Sequence, residues 1–116
     1  MRTMTATVDA ERVSPSRALR VAARSAPLLV VTGRALGELA DELGGHEAAG
    51  RFLTTVATNV GRPIAVNYPT GPDGSRMMFV APKGWSQERL AGWTAGRHRE
   101  IEAAFGPAVP LRWEDA

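Results

Sequence analysis

Two amphipathic helical patterns separated by a pair of glycines constrain this chain more than any other feature. Leu36, Leu39, Ala40 and Leu43 recur at i, i+3, i+4 and i+7, which is one face of an α-helix. Gly44-Gly45 stops that helix. A second begins at once, with Ala49, Phe52, Leu53, Val56 and Val60 sharing a face, and Gly61 with Pro63 closes it.

The flanking segments carry their own punctuation. Ser14-Pro15 reads as an N-cap followed by proline at the first helical position, which predicts a helix over about 15–25. Its expected inward residues are Leu19, Val21 and Ala22, with Arg17, Arg20 and Arg24 outward. Pro27 ends it. Leu28-Leu29-Val30-Val31 is a short apolar run between Pro27 and Gly33, the pattern of a buried strand, and Thr32 can cap the next helix. Thr3, Thr5, Thr7 and Val8 weakly favour an extended start. Ile64, Val66 and Tyr68 alternate with Ala65 and Asn67, and Met78 and Val80 alternate with Met77, Phe79 and Ala81. Pro72-Asp73-Gly74 between them predicts a β-hairpin with a loop of several residues. Ser86 caps an expected helix over 86–105 bearing Leu90, Trp93, Ile101 and Phe105. The tail 106–116, with Pro107, Pro110 and Trp113, is expected to lie extended over the surface.

A chain of 116 residues fits a single domain over 1–116, and 44% apolar with 22% charged residues argues against global disorder. With no cysteine, disulfides, thiolate metal sites and cysteine nucleophiles are excluded. Only His46 and His98 are present, so a three-histidine metal site is excluded too. The longest apolar run, Ala26 to Val31, is far below the roughly 20 residues that span a bilayer. The N-terminus lacks the continuous apolar segment of a signal peptide, so the expectation is a cytoplasmic protein with no membrane partner. The net charge is +2, from 13 Arg and one Lys against 12 acids. Residues 1–36 carry +4 and residues 37–116 carry −2, so the N-terminal third is the positive end.

The order helix, short strand, helix, tight turn, helix, hairpin resembles the winged helix-turn-helix family of DNA-binding domains over about residues 14–82. Leu39-Ala40, Leu43, Gly44 and Leu53 carry the resemblance: Ala40 lets the two helices approach and Gly44 supplies the left-handed turn residue. The chain departs from the family pattern at Gly45, where an apolar residue is usual, and at Gly50, where a branched apolar residue is expected. The resemblance implies an α+β, winged-helix-like domain: helices with a small antiparallel β-hairpin and a C-terminal helix. It also implies double-stranded DNA as partner. Arg51, Thr54, Thr55, Thr58, Asn59 and Arg62 lie opposite the apolar stripe of the second helix and can enter a major groove: Arg pairs with guanine, Asn with adenine, and threonine methyls touch thymine. Arg76 and Lys83 of the wing, and Arg17, Arg20 and Arg24, are the expected phosphate contacts. Glu47, at the start of that helix, stands against DNA.

Catalytic patterns are poor. No Gly-x-Ser-x-Gly elbow, P-loop or dinucleotide fingerprint occurs, and the carboxylate pairs Asp41-Glu42 and Glu100/Glu102 do not share helix faces. The expectation is a non-enzymatic protein with no metal or cofactor. Trp85, Trp93 and Trp113 either pack the last helix and tail over the hairpin or anchor an interface, and Gly92 with Gly96 would permit close helix approach. A homo-oligomer is therefore expected. The leading functional expectation is a small DNA-binding protein in transcriptional or replicative control. The alternative is a structural or assembly protein, such as a phage or mobile-element component, acting through protein contacts.

Overall fold

The computed structural model describes residues 5–8, 14–71 and 74–105. Its centre is the apolar run read above as a buried strand, β2 (Leu28–Thr32). A strand covered on both faces needs apolar side chains at successive positions rather than at alternate ones. Leu29 and Val31 enter one core cluster, and Leu28 and Val30 enter another on the opposite face of the sheet.

β1 (Thr5–Val8) and β3 (Ile64–Gly71) flank β2 and both run parallel to it. Parallel neighbours need a crossover of a dozen or more residues. α1 (Pro15–Ser25) makes the first crossover, and α2 (Gly33–Leu43) with α3 (His46–Val60) makes the second. β4 (Gly74–Val80) returns antiparallel to β3, giving a mixed sheet in the order β1-β2-β3-β4. α1, α2 and α3 cover one face, with Leu19, Ala23, Leu39, Ala49, Leu53 and Ala57 packed against Ile64 and Val66. α4 (Gln87–Ala95) and α5 (His98–Phe105) bring Trp93 and Ile101 to the other face, against Ala65 and Met77. The fold is mixed α+β.

Four local expectations change. The sheet is larger than a small antiparallel hairpin, because the helical crossovers allow β1 and β2 to add in parallel beside β3. The hairpin strands run on to Gly71 and Gly74, with an irregular register between Pro69 and Gly71; Pro72-Asp73 lies outside the described residues. Val21 is 58% exposed, while Leu19 and Ala23 point inward. Two residues turn a helix by about 200°, so Leu19 and Val21 cannot share a face. The expected single helix over 86–105 is two: at Gly96 the backbone tightens, Arg97 donates its N–H to the Thr94 carbonyl (3.0 Å), and α5 restarts at His98. Among the described residues, a side chain at Gly92 would meet nothing within 4 Å.

The turn between α2 and α3 explains why position 45 is a glycine. Gly44 is left-handed (φ 95°) and Gly45 follows at φ 144°, and both N–H groups bond the Ala40 carbonyl at 2.9 and 2.8 Å. A branched apolar residue at position 45 would strain that backbone.

Candidate nucleic-acid interface

The helix caps set the position of the arginines. Ser14 accepts the Arg17 N–H, and Pro15 occupies the first turn of α1. Glu42, at the C-terminal end of α2, reaches across to take the Ser16 N–H at 3.0 Å and the Ser16 hydroxyl. The Ser16 hydroxyl and N–H, with a smaller contribution from the Arg20 guanidinium, hold the Glu42 carboxyl below the usual carboxylate range against the opposing effect of burial. The other end of α1 is closed by Arg62. Its guanidinium donates to the Ala23 carbonyl at 2.6 Å and to the Ala26 carbonyl at 2.9 and 3.2 Å. α1 is thus anchored at both ends.

Between those anchors Arg17, Arg20 and Arg24 stand at i, i+3 and i+7, all exposed, in a helix with no acidic residue. The stripe is about 10 Å long, the rise of about three phosphates along one DNA strand. Arg20 also lies over the Phe52 ring, 5.1 Å from its centre, which fixes the guanidinium without burying it. Phe52 itself is half-buried at the edge of the core.

On the α3 face expected to read bases, Arg51, Thr55, Thr58 and Asn59 are exposed, and several of its polar groups have partners within the protein. Arg51 is paired with Glu47 at 3.1 Å, one turn away. The hydroxyls of Thr54, Thr55 and Thr58 donate to the Gly50, Arg51 and Thr54 carbonyls at 3.1, 3.0 and 2.7 Å. Thr58 also accepts the Lys83 N–H at 2.8 Å, so Lys83 stands beside the last turns of α3. Asn59 is exposed. Arg62 leaves the expected DNA face altogether, because its donors are held by the end of α1. Nothing local in the sequence signals this: the carbonyls it caps lie 36 and 39 residues away. The Glu47–Arg51 pair, by contrast, is legible from its i, i+4 spacing.

Of Arg76 only the backbone is described, and Trp113 lies outside the described residues. Trp93 is half-buried, edge-on to Phe79 with ring centres 6.1 Å apart, and Arg97 stacks on it at 4.4 Å. Trp85 carries Arg89 at 4.1 Å. Trp93 is thus a packing residue of the second sheet face. His98 is paired with Glu102 one turn on. Among the described residues no group of three or more His, Cys, Asp or Glu is placed to hold a metal ion, and no helix is long and apolar enough to cross a membrane.

Comparison with family models, with curated proteins and with solved structures finds no match.

Proposed function

We propose that the protein is a small non-enzymatic binding protein that engages the phosphate backbone of double-stranded DNA through α1, in a regulatory role. The observation that carries this reading is the stripe Arg17, Arg20 and Arg24: three exposed cations on one face, in a helix without acids and anchored at both ends. A fixed helix loses little further freedom when it meets a charged surface. The reading keeps the winged-helix-like order of helix pair and following hairpin, with Arg76 and Lys83 as flanking phosphate contacts. It moves the principal contact from α3 to α1, because Arg51 is paired and the threonine donors are already used.

Contacts of this kind position a protein without reading sequence. Binding to unrelated duplexes is therefore expected to be similar, and to weaken with salt at a log–log slope of about −0.9 per neutralised phosphate. Arg17→Ala, Arg20→Ala and Arg24→Ala should each reduce that slope by about one unit. The measurement is retention of labelled duplex across a salt series. No retention at about 50 mM salt would overturn the proposal.

A further inference from the structure

We infer that Val21 gives α1 a base contact: with the helix in the major groove, its methyl groups meet the C5 methyl of a thymine beside the phosphates that the arginines hold. The inference rests on the α1 reading above and adds a preference that phosphate contacts alone do not supply. Unrelated mixed-sequence duplexes all carry thymines, so they still bind alike.

Val21 is 58% exposed, the exposed large hydrophobic among the described residues. A single apolar side chain in solvent is ordinary; the placement of this one is not. Each residue turns a helix by about 100°. Measured from Arg17, Arg24 then lies about 20° and Arg20 about 60° round to one side, and Val21 about 40° to the other. The buried residues of α1, Leu19 and Ala23, are centred directly opposite Val21. Val21 is therefore the outermost ridge of α1, one turn from Arg17 and one from Arg24, with the arginine stripe along one flank. Glu42 and Arg62 hold the two ends of the helix, so the ridge is presented in a fixed position.

Two properties choose the ligand. The first is direction. Where Arg17, Arg20 and Arg24 follow the phosphates of one strand, the ridge beside them turns into a groove. The major groove, about 12 Å wide, admits an α-helix, and the minor groove, about 6 Å wide, does not. On the major-groove floor thymine alone among the four bases presents a methyl group, and it is read by apolar contact. Valine has no polar side-chain atom to offer the donors and acceptors of the other base edges.

The second property is the small size of the apolar spot. Leu19, the other large aliphatic residue on this helix apart from Val21, is committed to the core. A helix that lies in a membrane surface needs a broad apolar face, and a protein interface is centred on large anchors. One methyl-bearing side chain among three cations instead matches isolated methyl groups on an anionic frame, which is what a thymine-bearing duplex is.

The test compares two forms of one mixed-sequence duplex, with thymine or with deoxyuridine at every thymine position. The replacement removes the C5 methyl and leaves the phosphates and hydrogen-bonding edges in place. The full chain should hold the thymine form about four-fold more tightly, the worth of one buried methyl-sized group. Val21→Ala should bind the two forms nearly alike while keeping the wild-type circular dichroism spectrum, since the side chain is exposed and alanine favours helix. Arg20→Ala should weaken both forms equally and keep their ratio. Equal wild-type affinity for the two forms would overturn the inference and leave the phosphate reading standing. No retention of either form would overturn that reading, and the inference with it. A ratio that persists in Val21→Ala would also overturn the inference. So would binding to phosphatidylglycerol vesicles that Val21→Ala abolishes, with no difference between the duplexes, which would assign the ridge to a membrane surface.

Discussion

The two faces of the sheet are built differently. On the α1–α3 side the core is a continuous aliphatic layer: Leu39, Ala49 and Ala57 have no exposed surface, and Leu19, Val31, Leu53, Ile64 and Val66 pack around them. On the α4–α5 side the buried set is Leu28, Val30, Ala65, Met77 and Ile101, closed at its margin by Phe79 and Trp93 meeting edge to face. α4 and α5 have nine and eight residues. Helices that short are marginal in isolation and hold their shape through packing. The comparison teaches that one face supplies the bulk of the cohesion, while the other is a cover held by a few large side chains.

The sharpest way to break this comparison is a matched pair of truncations. Leu39→Ala should cost about 3–5 kcal/mol and be felt by the whole molecule, since the site lies amid three helices and the sheet. Ile101→Ala should cost less, about 2–4 kcal/mol. Its signature is local: hydrogen exchange should accelerate across α4 and α5 while the amides of α2 and α3 stay protected. Equal acceleration everywhere would show that the two faces open as one unit.

A second pair compares the seams. Arg62→Ala removes the guanidinium that caps the Ala23 and Ala26 carbonyls and should cost about 1–3 kcal/mol in denaturant unfolding. Arg97→Ala removes a cation from the Trp93 ring and a bond to the Trp93 carbonyl, and should cost about 1 kcal/mol. The reverse order would mean that the α4–α5 cover is the more tightly held.

The smallest effect belongs to the Glu42–Ser16 clamp. The Glu42 carboxyl is held below its ordinary value of 4.5, so its contribution is complete above that pH and is lost as the pH falls through the lowered value. Thermal melting of the wild type should therefore weaken in acid. Glu42→Gln should be less stable at neutral pH by under about 1 kcal/mol, as an exposed clamp implies, and should lose less on acidification. A variant with an unchanged acid profile would show that the clamp contributes nothing.

The elements were legible and their partners were not. Ser14-Pro15, Thr32, Gly44 and Ser86 mark helix ends where the structure has them, because capping is decided within three or four residues. The run Leu28–Val31 announces a strand buried on both faces. Val21 and the break at Gly96 are local misreadings: the hydrophobicity of Val21 suggested an inward position, while helical geometry places it beside Arg17 and Arg24 in solvent, and the expected helix over 86–105 is divided into α4 and α5. Of the candidate interface, the spacing of Arg17, Arg20 and Arg24 was readable in advance. That Arg62 serves the end of α1, and that three threonine hydroxyls turn to their own helix, was not.

The sequence by itself determined the ends of α1, α2 and α3, the start of α4, the buried central strand, the left-handed turn at Gly44 and the positive N-terminal third. Those follow from backbone sterics, side-chain period and charge counts, all settled among near neighbours. Tertiary structure alone decided that β2 lies between two parallel strands, that helices cover both faces, and which arginines remain in solvent. The reason is that strand pairing and the capture of a guanidinium are contacts between segments far apart in the chain. Val31 meets Val66, and Arg62 meets Ala23, only once the crossovers have brought them together.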